Sequence, residues 1–274
     1  MKINPRRAIG SSEPLDLGLS VSIITLNEEV NLKSCLESVA GLANEIIIVD
    51  SGSSDRTSEV AAKHGAHFMH NDWPGHVKQK NFALSQCTQP WVLCLDADEA
   101  LDEELCREII KLLQGNPKCS GYAVNRLSWF LGDWIRHAWH PEWKLRLVRR
   151  ESAHWGGMDP HDHLLVEGDT EKLPGCLLHY SFVNLDHHVQ KTVGYGRISG
   201  AELVKRGKRI SIFKLIFSPF WRSFTVFIIK GGWRDGWRGL IVAYTSMLAG
   251  FAKYAYAMEA QRVERDDLNN AEDE

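Results

Sequence analysis

At 274 residues the chain is long enough to bury a sizeable core, as one large α/β domain or as a domain with an appendage. Its 32 lysines and arginines against 35 acidic residues give a net charge of -3, which removes any general case for nucleic-acid binding. Six cysteines, at 35, 87, 94, 106, 119 and 176, form no C-x-x-C pair and several sit in apolar runs, so they read as reduced cytosolic thiols.

Taken in chain order, residues 1–18 read as a flexible tail. Lys2, Arg6 and Arg7 have no continuous apolar stretch behind them, so neither a signal peptide nor an anchor is expected, and the catalytic part should face the cytoplasm. From 21 to about 114, short β-branched runs alternate with longer helical patterns, the sequence form of a parallel sheet with crossover helices. Strands are expected at 21–26, 45–49, 66–69 and 91–95, and helices at 28–39, 55–64 and 76–87. Asp55 serves as a cap, Gly65 as a stop, and another helix begins near Asp102. A polar cluster follows every strand: Asn27-Glu28, Asp50-Ser51-Gly52-Ser53, Asn71-Asp72 and Asp96-Ala97-Asp98. Ligands of open α/β sheets bind beyond the carboxyl ends of the strands, so the four clusters should share one rim.

Asp96-Ala97-Asp98-Glu99 carries the sharpest chemistry. Two carboxylates one residue apart after a strand suit Mg²⁺ or Mn²⁺ and leave coordination positions for substrate phosphates, although a turn or helix cap uses the same residue types. Asp50 ends the apolar run Ile46-Ile47-Ile48-Val49 and needs a partner, which a ribose hydroxyl or a base N–H would supply. Neither GxGxxG nor GxxxxGK[ST] occurs there, which disfavours dinucleotide oxidoreduction and P-loop phosphoryl transfer. Lys78 or Lys80, in the first turns of the third helix, could meet a phosphate or lie on a solvated face.

Four segments together, Ser22-Ile23-Ile24-Thr25-Leu26-Asn27-Glu28-Glu29, Ile48 to Thr57, Lys80-Asn81-x-Ala83 and Leu95 to Glu99, resemble the nucleotide-sugar half of a family 2 glycosyltransferase. The resemblance continues through Trp143-x-x-Arg146-Leu147-x-Arg149-Arg150 and Gly157 to Leu164, and is to the bacterial lipopolysaccharide core β-glucosyltransferase branch. It implies the GT-A fold, a Rossmann-like, mostly parallel sheet with flanking helices, and an inverting transfer from a nucleotide-diphosphate sugar with Mg²⁺ or Mn²⁺. By matching position, Asp50 would contact the uridine, with Ser51 and Gly52 in the same donor loop. Asn27 and Glu28 would border the nucleobase pocket, Lys80 would serve the donor, and Asp96 would face the ribose or the metal. Asp98 would be the metal ligand proper.

Beyond Lys118 the βα alternation stops, and tryptophan and histidine gather between Trp129 and His188. In Asp159-Pro160-His161-Asp162-His163, an inverting transfer would find its general base. Asp162 stands where relatives carry the acidic member of a His-Glu or Glu-Asp pair, although aspartate reaches less far; Asp159 competes with it. His161 and His163 also admit a zinc reading, since residues i and i+2 of a strand share a face. His179 is a further candidate for the catalytic metal's shell as in some relatives, and Arg146, Arg149 and Arg150 for a diphosphate or an anionic acceptor.

Apolar stretches at 215–221 and 224–229, interleaved with Lys214, Arg222, Lys230, Arg234 and Arg238, suit helices lying on an anionic membrane, with a helical pair packed on protein as the alternative. The expected organisation is a catalytic domain at 19–208, split at 117/118 into donor and acceptor halves, an amphipathic helical region at 209–262, and a loose acidic tail at 263–274. The expected activity is transfer of a hexose, glucose from UDP-glucose, onto a lipopolysaccharide inner-core acceptor at the cytoplasmic face of the inner membrane. Its rivals are transfer to a polyprenyl phosphate, which needs no added base, metal-dependent nucleotidyl transfer, and non-catalytic sugar binding.

Overall fold

Leu19-Ser20-Val21-Ser22-Ile23-Ile24-Thr25 forms the central strand of a sheet, its alternating side chains buried on both faces, in a computed structural model that describes residues 15–158, 161–182 and 184–272. In chain order the first elements are β1 (Leu19–Thr25), α1 (Leu32–Val39), β2 (Glu45–Asp50), α2 (Thr57–Lys63), β3 (His67–His70), α3 (His76–Ser85) and β4 (Trp91–Asp96). There follow β5 (Glu99–Leu101), α4 (Glu103–Gln114), β6 (Gly121–Phe130), β7 (Asp133–Trp134), β8 (Glu142–Arg149), β9 (Ala153–Met158), β10 (His161–Val166) and β11 (Thr170–His179). The last helices are α5 (Leu185–Lys205), α6 (Ile212–Phe224) and α7 (Gly236–Glu272).

The chain divides into two units. One contains the residues before Ser128 together with Pro141–Tyr180, the other Ser128–His140 together with the residues after Tyr180. The sequence boundary at 208/209 falls inside the second unit, because α5 packs along α7.

In the first unit the sheet order is β3-β2-β1-β4-β8-β6-β11-β5. The first four strands are parallel, and the antiparallel pairs begin where β4 meets β8. That change matches the end of the βα alternation in the sequence. Leu93 and Leu95 of β4 join Val21, Ile23, Leu36 and Leu105 on one face, under α1 and α4, while Val92 and Cys94 join Val49, Leu84 and Trp155 on the other. The register aligns Thr25 with Asp50, Asp50 with His70, and Ile24 with Asp96, so the polar clusters do share one rim.

The first helix starts at Leu32 rather than near residue 28. Asn27 adopts a left-handed φ of 56°, and the amides of Asn27, Glu28 and Glu29 donate to the side chains of Ser53, Thr57 and Asp55 instead of opening a helix. Asp102 caps α4 through Leu105 and also accepts from the Cys176 amide. Gly175 is required there, since a Cβ would lie 2.3 Å from the Leu105 nitrogen. This tight approach seats β11, and with it His179, beside β5. The tail expected to be loose is held at its end, where the Leu17 and Leu19 amides donate to Asn44 Oδ1. All six cysteines are free thiols, and burial pushes Cys87, Cys94 and Cys106 up to about 12, so those three are inert packing residues.

In the second unit α5 and α7 approach closely enough that a Cβ on Gly200 would lie 2.6 Å from the Lys253 carbonyl oxygen. Asp235 gathers the amides of Arg136, His137 and Ala138, and α7 runs on to Glu272, past the boundary expected at 263. His188 is buried among Phe130, Trp139 and Phe182 with its Nε2 2.9 Å from Thr245 Oγ1. Burial first, and His187 second, push its pKa down to about 4 from 6.5. A histidine kept neutral in the fold stabilises it fully above the unfolded pKa and progressively less as pH falls toward the folded value. Wild type should therefore lose about 3 kcal/mol between about pH 6.5 and pH 4 that His188→Leu does not, measured by urea unfolding of both across that range.

Candidate active site

Beyond the ends of β1 and β2, two polar loops are stitched to each other. Asn27 Oδ1 accepts from the Ser54 amide at 2.9 Å, Asp55 and Thr57 accept from the Glu29 and Glu28 amides, and Glu28 accepts from Asn31 at 2.9 Å. Asp50 organises the second loop. One carboxylate oxygen accepts from the Thr25 and Ser53 hydroxyls, the other from the Gly52 and Ser53 amides, which uses the four acceptor positions of a carboxylate. Burial alone would push its pKa up, but these hydrogen bonds outweigh it and hold Asp50 below the ordinary range. A uridine contact from Asp50 itself would need one of those donors to give way. Ser51 is fixed by fully buried Gln79, whose amide donates to Ser51 Oγ at 3.0 Å and accepts from Asn71 at 2.6 Å. The sequence reading did not single out Gln79; its place one residue before Lys80 on the rim-facing turn of α3 was the available signal.

The rest of the site is a cluster of opposite charges. Lys80 Nζ lies 2.8 Å from Asp96 Oδ1 and 2.8 Å from Asp162 Oδ2, over the Trp155 ring at 4.3 Å. Asp96 Oδ2 takes Arg146 at 2.7 Å, and the same Arg146 nitrogen reaches Glu99 Oε1 at 2.7 Å. Glu99 is fully buried, accepts from the Asp96 amide at 3.0 Å, and meets Arg126 at 3.5 Å; Arg126 continues to Glu142 at 2.8 Å. Burial would push Asp96 up, but Lys80 and Arg146 hold it well below the carboxylate range. Burial would likewise lower Lys80 and Arg146, yet Asp96 raises the one, and Glu99 and Asp96 raise the other. Lys80, Asp96 and Arg146 thus hold one another in their charged forms.

Lys80 and Lys78, equal candidates in the sequence, have different places: Lys78 is exposed, whereas Lys80 is buried between two carboxylates. Its neighbour Asn81 locks α3 to β9 with two reciprocal bonds, Nδ2 donating to the Trp155 carbonyl at 2.8 Å and Oδ1 accepting from the Trp155 amide at 2.9 Å. The Lys80-Asn81-x-Ala83 motif thus supplies a charge, a clamp and a buried packing residue. The three arginines expected to face phosphates are engaged within the protein. Arg146 is buried, Arg149 stacks on Trp91 and donates to the Pro117 carbonyl, and Arg150 pairs with Glu151. Glu99 and Arg126 were missed in the sequence, since nothing local marks a strand residue as one member of a buried network.

Asp98 and His179 pair with each other, Nε2 to Oδ2 at 3.4 Å. Among the described residues no three His, Cys, Asp or Glu side chains converge as a complete metal cage. The pair nevertheless fits one divalent ion: adjacent octahedral ligands, each about 2.1 Å from the metal, stand about 3 Å apart, and a carboxylate with an imidazole suits Mn²⁺ as well as softer ions. Asp96, the other metal candidate, is instead turned to Lys80 and Arg146. Asp159 and the side chain of His161 lie outside the described residues, and with them the competing base and half of the zinc reading.

A parallel sheet with polar strand ends, an acidic pair at the β4 edge and a second carboxylate brought to it by a hairpin is the geometry that the family resemblance implies. Residues 20–164 match the family model Glycosyl transferase family 2. The chain belongs to that family. The lipopolysaccharide core biosynthesis glycosyltransferase LpsC of Rhizobium meliloti is 35% identical to it over 92% of this chain and 94% of the relative. An uncharacterized glycosyltransferase of Rickettsia typhi is 31% identical over 88% of this chain and 87% of the relative. Among solved structures, the glucosyl-3-phosphoglycerate synthase of Mycobacterium tuberculosis in complex with phosphoglyceric acid is 17% identical, with a TM-score of 0.46, over 76% of this chain and 84% of that one.

The glycosyltransferase should depend on Arg146 for stability as well as for its site. Arg146→Met leaves Glu99 buried beside Arg126 alone and removes one of two cations from Asp96. The expected loss is about 3–5 kcal/mol in chemical denaturation, and a loss below about 1 kcal/mol would contradict the pairing described.

Proposed function

We propose that the glycosyltransferase moves a hexose, glucose from UDP-glucose, onto an inner-core sugar of lipopolysaccharide with inversion of the anomeric centre. The observation that carries this reading is the joint hold of one ammonium, Lys80 Nζ, on Asp96 of the D-x-D and on Asp162. A base beside the donor carboxylate is what a hydroxyl acceptor needs and a polyprenyl phosphate does not. The name of the Rhizobium relative supports a lipopolysaccharide core acceptor. Among the described residues Asp162 is held through Oδ2 alone, so Oδ1 is the atom that would take the acceptor hydroxyl's proton. As the acceptor hydroxyl oxygen bonds to the anomeric carbon and gives its proton to Asp162, the bond from that carbon to the β-phosphate oxygen breaks on the opposite face and UDP departs. Asp98 and His179 would hold a divalent cation, Mn²⁺ or Mg²⁺, which offsets the charge gathering on the leaving diphosphate. The Asn27-Glu28 and Ser51-Gly52-Ser53 loops, cross-linked and pre-shaped by Asp50, would line the nucleoside.

With a panel of UDP- and ADP-sugars and extracted core lipopolysaccharide, release of UDP should require the acceptor and be abolished by EDTA. Asp162→Asn should lower turnover about 10²–10⁴-fold. Near-normal turnover of that variant would favour the polyprenyl-phosphate acceptor, pyrophosphate as product would favour nucleotidyl transfer, and no turnover with any nucleotide sugar would overturn the reading.

The same reading places the enzyme at the cytoplasmic face of the inner membrane through residues 209–257. One helical stretch among the described residues, Ile212–Ile229, is long and apolar enough to cross a membrane. Phe213, Phe217, Phe220 and Trp221 are each more than 60% exposed. Nine lysines and arginines but a single acid, Asp235, lie between 205 and 238, and Asp235 is committed to the amides of 136–138. Exposed aromatic rings among cations support a helix lying in anionic headgroups rather than a span. The protein should co-sediment with phosphatidylglycerol vesicles, less so as salt rises, and Phe217→Ser with Trp221→Ser should release it. Absence from both anionic and zwitterionic vesicles would leave the helices as a protein-packing surface.

A further inference from the structure

We infer that Lys80 is a positioning residue, one that sets the reach of the base toward the donor rather than contacting the diphosphate; this rests on the transferase reading above. Three observations converge on it. The Lys80 ammonium sits 2.8 Å from a carboxylate oxygen of both Asp96 and Asp162, so those two oxygens lie at most twice that distance apart. The ammonium is nearly buried beneath Trp155, and Trp155 is fixed in turn by the two bonds from Asn81, the next residue on α3. Asp96 is anchored on its far side by Arg146, so the pull of Lys80 acts on the β9–β10 hairpin and not on β4.

The arrangement answers the short side chain at Asp162. Aspartate is one methylene shorter than glutamate, and a carboxylate on a hairpin has no rigid element of its own to aim it. Lys80 spans the gap from α3: it holds Oδ2 and thereby orients Oδ1. A lysine committed to two carboxylates is also a poor phosphate ligand, because taking up a diphosphate would break an ion pair in a poorly solvated place. Lys80 therefore acts through Asp162.

Kinetics of Lys80→Met and Lys80→Arg, with folding checked by thermal melts, test this. In Lys80→Met kcat should fall about 10²-fold while the donor KM stays within roughly threefold. Lys80→Arg, which keeps the charge, should recover about tenfold or more of that loss. The double variant Lys80→Met with Asp162→Asn should be no slower than Asp162→Asn alone, since the lysine has then lost the group it positions. A loss confined to donor KM, or losses that multiply in the double variant, would overturn the inference and return Lys80 to the diphosphate. If Lys80→Met does not fold, the Lys80→Arg kinetics and the Lys80→Arg, Asp162→Asn double variant carry the same comparison. Failure of the underlying reading looks different: the wild-type enzyme itself would then turn over no nucleotide sugar.

Discussion

Six charged side chains, Lys80, Asp96, Glu99, Arg126, Arg146 and Asp162, are tied into one connected network, and the site exists because none of them is left alone. A buried carboxylate without a partner would take up a proton, and a buried lysine would lose one. Paired, Lys80, Asp96 and Arg146 keep their charges, and each member of the network fixes the position of the next. The link from Lys80 to Asp162 crosses 82 residues of sequence, so one ammonium ties α3 to the β9–β10 hairpin. Removing any member exposes its neighbours to the full cost of burial, and for that reason stability and site geometry are not separable here.

Around this network the polar loops of the rim are rigid for a different reason. Their partners are backbone amides and small hydroxyls from the adjacent loop, as where Ser53 and Asp50 meet or where Thr57 accepts from Glu28. Such bonds cost little entropy because the side chains are short. Under the proposed function a surface shaped in this way would receive a nucleoside without rearrangement, while the carboxylate of Asp50 holds the loop.

The helices of the second unit follow another logic. Small residues at Gly196 and Gly200 let α5 and α7 approach closely, and the aromatic ring of contacts around His188 fills the space between Phe130 and Phe182. The large apolar side chains that are left over, from Phe213 to Trp237, stay outside. A globular unit does not ordinarily leave so much apolar surface to water, and the cations among those residues fit an anionic lipid surface.

Much of this was legible in the chain. Residue alternation set the parallel half of the sheet, and the polar residue after each strand marked the rim, because both depend on neighbours within a few positions. The D-x-D and the segment carrying Asp162 were readable as motifs, and the exposed cationic helix as composition. What the chain could not disclose were the partners. That Lys80 serves two carboxylates, that Arg146 is buried against Glu99 and not turned to a phosphate, and that Asp50 is saturated by its own loop together with Thr25 of the neighbouring strand all depend on strand order and on the β9–β10 hairpin. Sequence alone determined which residues carry charge and hydrogen-bonding capacity at the sheet edge. Only the tertiary structure decided which of those charges neutralise one another, because electrostatic pairing is a matter of a few ångströms in space and the pairs come from segments far apart in the chain.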